Sequence, residues 1–411
     1  MRKHLRPLSV IASTVALLSL GLSAPAIAAP PNVDWNRSNI AVNLGGQVDG
    51  GYLDAQGAVF DGTGQIVIDI DGAFTSGNSL MKDSAGLSKV AGEYCFGLDA
   101  PKTAWPNLCQ TTNQISSSYL YATPSYFSTL PGSSTPNPAC VSSAGTPCHD
   151  YHGTATAGAA VGQAGKRWEL NSDGSYTIVS TAGAAVGAKV VQVKVGGGTT
   201  TGVNDSFGWS GESVVNALNW IDAVGSESAQ FKGRIAAINL SVSGAPLSSG
   251  GSCTGLGQAI DTVAGRLKAK GIAVVMAAGN DGLAGVGTWN CGANVITVGA
   301  TSAVSPGTLS SYSNRGPSTR LYAPVGEGNA TTRDGVLLPW KSSGTFYVMG
   351  TSFASPQVAG AFAVLRQKFG ATPTVDQLAA HLAATGGAVS GLPAGQQGKV
   401  INVRAALSGT P

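Results

Sequence analysis

The amino-acid sequence predicts a doubly wound α/β domain on a mostly parallel sheet. Short runs rich in β-branched residues recur at residues 66–70, 189–195, 235–240, 272–276 and 295–298. Most are nearly continuous in apolar residues, as strands covered on both faces must be. Helical patterns fall between and after these runs, and strands alternating with helices point to parallel crossovers.

Residues 213–224 place Val214, Val215, Ala217, Leu218 and Ile221 on one helical face. Residues 256–268 do the same with Leu256, Ile260, Val263, Ala264 and Leu267. Residues 356–369 carry Val358, Ala361, Phe362 and Leu365. Thr374 followed by Gln377 is a capping-box pattern ahead of Leu378 and Leu382. Two stretches read as insertions. Residues 96–147 are rich in Pro, Ser and Thr, and residues 164–182 read as a hairpin around Asp173-Gly174.

Before any of these elements comes a processing segment. Arg2, Lys3 and Arg6 precede an apolar stretch over residues 8–22, and Ala26-Ile27-Ala28 has the small-x-small form of a cleavage site. Residues 1–28 therefore read as a secretory signal peptide rather than a membrane anchor, with cleavage after Ala28, or after Ala26 as the near alternative. Residues 29–60 are glycine-rich and weakly periodic, an N-terminal extension ahead of a domain over 61–411. The chain has 24 Lys plus Arg against 21 Asp plus Glu, and losing the three basic residues of the signal leaves the two signs equal. Nothing in that balance favours nucleic acid or any strongly charged partner.

Six cysteines remain, Cys95, Cys109, Cys140, Cys148, Cys253 and Cys291. An even number in an exported chain reads as disulfides, and pairing of near neighbours joins Cys95 to Cys109, Cys140 to Cys148 and Cys253 to Cys291. The close CxxC spacing of thiolate zinc sites is absent.

Histidine is scarce: His4, His149, His152 and His381. His4 leaves with the signal, and His381 falls in a terminal helical pattern. His149 and His152 have an H-x-x-H spacing but lack the helical i,i+4 geometry and glutamate of a zincin. His152 opens His152-Gly153-Thr154, with small residues beyond it. Ser352 stands in Gly350-Thr351-Ser352-Phe353-Ala354-Ser355-Pro356, between a glycine and an apolar helical run. A serine there could be a plain N-cap, but the same place offers a backbone N–H and the positive end of a helix to a developing anion. Asn280 ends a strand-and-glycine turn, Ala277-Ala278-Gly279-Asn280, as a turn residue or as an amide donor to an oxyanion.

These blocks together resemble the subtilisin-like serine peptidases, or subtilases. The likeness rests on His152-Gly153-Thr154, Ala278-Gly279-Asn280 and Gly350-Thr351-Ser352-x-Ala354-x-Pro356, and by motif it spans residues 60–405. It implies a three-layer α/β/α sandwich with a mostly parallel central sheet. It also implies a secreted endopeptidase with Ser352 as nucleophile, His152 as base and Asn280 in the oxyanion hole. Ser241, Val242 and Ser243 would line one wall of the primary specificity pocket, with Ala277, Ala278 and Gly279 opposite. Those walls are small and neutral, so an apolar or broad preference is expected.

The resemblance implies protein or peptide substrates, a monomer, and no cofactor in the chemistry; structural calcium is frequent in the family, but no ligand set is legible here. The aspartate block departs from the family pattern of an apolar strand followed by Asp. In Ile66-Val67-Ile68-Asp69-Ile70-Asp71-Gly72 two aspartates compete, i and i+2, on one face of a strand. Asp71 is favoured because it lies nearer the strand's C-terminal end, where α/β sites form; Asp69 is the alternative. Residues 29–60 are too short for the inhibitory prodomain that many subtilases carry. A catalytically silent binding protein of the same fold and a serine esterase are the rival readings, although no G-x-S-x-G elbow surrounds Ser352.

Overall fold

The computed structural model describes residues 40–47, 49–72, 74, 77–96, 152–171, 173–199, 206–209, 211–223, 225–247, 252–329, 334–340 and 344–411. The signal segment 1–28, most of the 96–147 insertion, and Cys109, Cys140, Cys148 and His149 lie outside them. So do the two disulfides expected at Cys95 with Cys109 and Cys140 with Cys148.

A nine-stranded sheet organises the chain. Its strands are β1 (Ile66–Asp71), β2 (Val90–Cys95), β3 (Lys189–Lys194), β4 (Ile235–Leu240), β5 (Ala273–Ala277), β6 (Ile296–Thr301), β7 (Leu321–Pro324), β8 (Gly387–Ala388) and β9 (Lys399–Val400). They lie in the order β8-β9-β7-β6-β5-β4-β1-β3-β2. Every pairing is parallel except that of the short edge strands β8 and β9.

The strand residues alternate between two cores. Ile66, Ile68 and Ile70 of β1 point into one, with Val191 and Val193 of β3 and Ile238 and Leu240 of β4. Helices α2 (Gly211–Ala223) and α3 (Leu256–Ala269) cover that face. Val67, Val190 and Ala237 point into the other core, which α1 (His152–Val161), α4 (Ser355–Phe369) and α5 (Val375–Thr385) fill. The result is a three-layer α/β/α sandwich, as expected. The capping box at Thr374 and Gln377 forms as the sequence predicts and starts α5.

Helix α4 is buried nearly all round, from Ser355 to Arg366, which marks a central rather than a surface helix. Its small residues, Ala359, Gly360, Ala361 and Ala363, let it approach α1, which is itself composed of Gly, Ala, Thr and Val after His152. This packing aims the N-termini of both helices at the C-terminal ends of β1, β4 and β5.

The insertion at 164–182 is a hairpin, Gly165–Leu170 with Tyr176–Thr181. It stands on a second antiparallel pair, Asp334–Pro339 with Thr345–Val348, through Arg167 Nη1, which donates to the Thr345 carbonyl at 2.8 Å. Residues 40–60 add the short helix Ile40–Asn43 and a small pair, Tyr52–Leu53 with Val59–Phe60. Among the described residues no helix is long and apolar enough to cross a membrane.

Cys253 and Cys291 form a disulfide, as expected, across a sequence separation of 38. It ties the start of α3 to the loop after residues 286–287, which themselves pair with Pro246–Leu247. Closing a loop of that length restricts the unfolded chain by about 3–4 kcal/mol. Replacing both cysteines by alanine should lower the stability measured by urea unfolding by about that amount. An unchanged unfolding midpoint would show that the bridge adds nothing.

Candidate active site

Asp71 is the last residue of β1 and is fully buried. Its carboxylate accepts from the Gly72 backbone N–H at 2.6 Å and faces His152 Nδ1, with Oδ1 at 2.8 Å and Oδ2 at 3.1 Å. His152 is the first residue of α1, and its imidazole is 22% exposed. An accepting carboxylate at Nδ1 keeps the proton on that nitrogen and leaves Nε2 as the basic one. The ring also packs against Phe353, with centroids 5.3 Å apart. Of the two competing aspartates, Asp71 is thus the one placed on His152.

Ser352 lies in a single 3₁₀ turn, Thr351–Phe353, immediately ahead of α4. It is not the helix cap: Ala354 holds that position, without a side-chain capping bond. The Ser352 hydroxyl donates to the Ser241 carbonyl at 3.3 Å. In return, the Ser241 hydroxyl donates to the Ser352 carbonyl at 2.6 Å. The turn carrying Ser352 is therefore stitched to the segment that leaves β4.

Asn280 is held by Thr351, a residue to which the sequence motif alone assigns no role of its own. Its Oδ1 accepts from the Thr351 backbone N–H at 2.8 Å and from the Thr351 hydroxyl at 2.9 Å. Thr351 Oγ1 also accepts from the Gly279 N–H at 3.0 Å. With Oδ1 committed, the amide Nδ2 is turned towards the open side, beside Gly350. Gly350 has φ +121°, and a β-carbon there would sit 3.4 Å from that nitrogen.

Asn314 fixes the other side of the turn. Its amide donates to the Ala278 carbonyl at 3.2 Å, and its oxygen accepts from the N–H groups of Asp281 and Leu283. Gly279 has φ +106°, and a β-carbon there would strike the Asn314 amide at 2.3 Å. Glycine is required at that position by both conformation and space.

Of the segments expected to form the specificity pocket, Gly279 lies against Ser243, with the Ser243 hydroxyl 3.2 Å from an added β-carbon. Val242 is buried in the α2/α3 core. Ala277 and Ala278 are also buried. The Ser243 carbonyl is taken by the Trp289 N–H at 3.0 Å.

Asp69 sits one pleat deeper on the same face as Asp71. It is fully buried and receives hydrogen bonds from Asn239 Nδ2 (2.7 Å), Thr156 Oγ1 (2.8 Å) and Gln192 Nε2 (2.9 Å). Loss of solvation, and then the charge of Asp71, push its carboxyl up to about 7, against the three donors.

A profile of the subtilase family matches residues 136–399, nearly two thirds of the chain. The chain belongs to the subtilase family. The matched span holds His152, Asn280 and Ser352 but begins after β1, so both aspartates lie outside it. A protein of Xanthomonas campestris named extracellular protease is 34% identical over 229 residues, 53% of this chain and 36% of that protein. Subtilisin-like protease 9 of Arthroderma otae is 32% identical over 213 residues, 50% of this chain and 45% of that one. The chain thus spans less than half the length of these curated relatives. Among solved structures, a protease from Pseudoalteromonas arctica superposes with a TM-score of 0.56 at 22% identity, over 85% of this chain and 90% of that one. A cold-adapted subtilisin-like serine proteinase gives 0.51 at 19% identity, over 90% and 97%. At those identities the likeness is one of fold.

The raised pKa of Asp69 fixes a sign. An acid that binds its proton more tightly when folded lends stability at low pH and withdraws it as pH rises through the folded value. Urea unfolding at about pH 5 and about pH 8 should show the subtilase losing stability across that window relative to its Asp69→Asn variant. Parallel pH dependences would contradict the shift.

Proposed function

We propose that this subtilase is a secreted serine endopeptidase that cleaves peptide bonds through an acyl-enzyme. The observation that carries the reading is the contact between His152 Nδ1 and the buried Asp71 carboxylate, at the sheet end where the Ser352 turn and Asn280 also stand. On substrate binding, the Ser352 hydroxyl turns from the Ser241 carbonyl to His152 Nε2 and attacks the scissile carbonyl. The base takes the hydroxyl proton and returns it to the leaving amine, while Asp71 stabilises the imidazolium and keeps its orientation. The tetrahedral oxyanion forms between Asn280 Nδ2 and the Ser352 backbone N–H, near the positive end of α4.

Thr351 matters here because an oxyanion donor works when it is already in place. The bonds from Thr351 to Asn280 Oδ1 hold the amide so that the nitrogen, not the oxygen, faces the developing charge. Substrate residues would lie against Ser241–Ser243 and Ala277–Gly279. Those segments carry no Asp or Glu, which favours apolar or small side chains at the primary site over basic ones. The signal segment and the extracellular relative both support export.

Ser352→Ala should abolish casein hydrolysis, with kcat lower by at least ~10⁴-fold. Asn280→Ala should lose roughly 10²–10³ in kcat with KM little changed. Casein hydrolysis that persists in Ser352→Ala would end the proposal. A wild type that cleaves esters but not peptides would favour the esterase reading, and a wholly inert wild type would favour a silent binding protein.

A further inference from the structure

Behind the Asp71–His152 pair lies a polar row that peptide-bond chemistry does not itself require. Gln192, Asp69 and Asn239 are partners in register on three adjacent strands, β3, β1 and β4. All three are fully buried and project to the face of the sheet that α1 and α4 cover. Their neighbours along that face, Val190, Val67 and Ala237, are apolar core. A buried carboxylate is costly unless paired, and this one has hydrogen-bond donors in place of a cation.

Two of the donors also reach a second group in the site. Gln192 spends one amide proton on Asp69 and the other on the Gly153 carbonyl, at 3.0 Å, in the first turn of α1. Thr156, one turn beyond His152, gives its hydroxyl proton to Asp69. Asn239 divides its amide between Asp69 and the Ser241 hydroxyl, at 2.9 Å, which in turn donates to the Ser352 carbonyl. Two of the three donors are thus shared with carbonyl or hydroxyl groups one step from His152 and Ser352. Neither amide oxygen, Gln192 Oε1 nor Asn239 Oδ1, has a partner among the described residues. Both amides are oriented by what they donate to, and the common acceptor is Asp69.

We propose that Asp69 is a positioning residue of the active site: it anchors the His152 end of α1 through Thr156 and Gln192, and the peptide carrying Ser352 through Asn239 and Ser241. The inference rests on the peptidase reading of that site. Asp69 touches no reacting atom. It fixes the distance between two elements, α1 and the 3₁₀ turn, that meet otherwise through the undirected ring contact of His152 with Phe353. The raised range in which Asp69 ionises overlaps that of an ordinary imidazole, and once ionised its charge lies behind the Asp71–His152 pair and favours the imidazolium. The titratable groups facing the row are Asp71 on β1, Glu93 on β2, in register with Gln192, His152 on α1 and Lys194, in register with Asp71 on β3; β4 and the first half of α4 bring none.

Asp69→Asn keeps the shape and removes the charge. Per active site, counted by fluorophosphonate titration, its kcat on a peptide substrate should fall about 10- to 100-fold with KM within about twofold, the size of effect that a small misplacement of catalytic groups produces. The acid limb of its kcat/KM profile should move to lower pH. A ¹H-NMR titration of His152 should show the same downward move without any substrate, and so decides the charge effect even if the peptidase reading fails. Wild-type kcat per site together with an unmoved His152 titration would reduce Asp69 to a structural residue and overturn the proposal. Thr156→Val keeps the charge and cuts one tie. It should lower kcat with little movement of the His152 titration, and wild-type kcat in that variant would overturn the positioning role should Asp69→Asn fail to fold. A wild type that neither hydrolyses peptides nor takes the label would instead count against the peptidase reading, leaving the NMR result to stand or fall alone.

Discussion

The hydrogen bonds that converge on the Asp69 carboxylate constrain everything built above them. Three strands contribute to the row, β3, β1 and β4, and a helix closes it from above through Thr156. Taking a carboxylate out of water costs several kcal/mol before its partners are counted, and here the partners are neutral. Burial still pushes the carboxyl up despite its three donors, so the cost is only partly recovered. What the arrangement supplies is a fixed relation between segments far apart in sequence: the end of β1, the start of α1, the exit from β4 and the turn before α4. A row of apolar side chains would pack as tightly but would leave α1 free to slide by fractions of an ångström, since dispersion contacts have no direction.

Around this anchor the fold works by closeness. Helix α4 threads the centre of one layer with almost no exposed surface, and α1 lies against it through glycine and alanine. Both start where the parallel strands end, so two positive helix ends meet above a buried carboxylate pair. Asn280 and Thr351 apply the same logic on a smaller scale. One hydroxyl and one backbone N–H, both of Thr351, hold the side-chain amide, the Gly279 N–H holds that hydroxyl, and Asn314 holds the turn that carries the amide. The site is pre-organised by polar contacts that reach backward into the protein, away from where a substrate would lie.

How much of this was legible in the sequence depended on range. The strands at 66–71, 189–194 and 235–240 are continuous apolar runs, and their local signal survives without knowing their neighbours. The capping box at Thr374 and the Asp173-Gly174 hairpin are short-range signals of the same kind. The antiparallel pair Asp334–Pro339 with Thr345–Val348 is less legible, because its short strands, one ending in Pro339, lack clear alternation, although Ser343-Gly344 is a turn signal between them.

Period-two alternation placed Asp69 and Asp71 on one face but could not say which reached His152. That needed the register of α1 over β1: His152 stands over the strand's end, and Thr156 over the residue two back. The Gln192–Asp69–Asn239 row was hidden for the same reason. Each residue alone looks like an ordinary polar break in an apolar strand, and only the pairing of three strands in register brings them together. Val242 shows the converse, a residue assigned to a groove wall by its neighbours in sequence but buried in the α2/α3 core just beyond the end of β4.

All these contacts acquire catalytic meaning only if Ser352 is the group that reacts. Peptide mapping of the wild-type protein after fluorophosphonate treatment reads this directly. The account predicts a single adduct, on Ser352, that is lost when His152 is replaced by alanine. An adduct on Ser241 or Ser355 instead, or labelling of Ser352 that does not depend on His152, would contradict it.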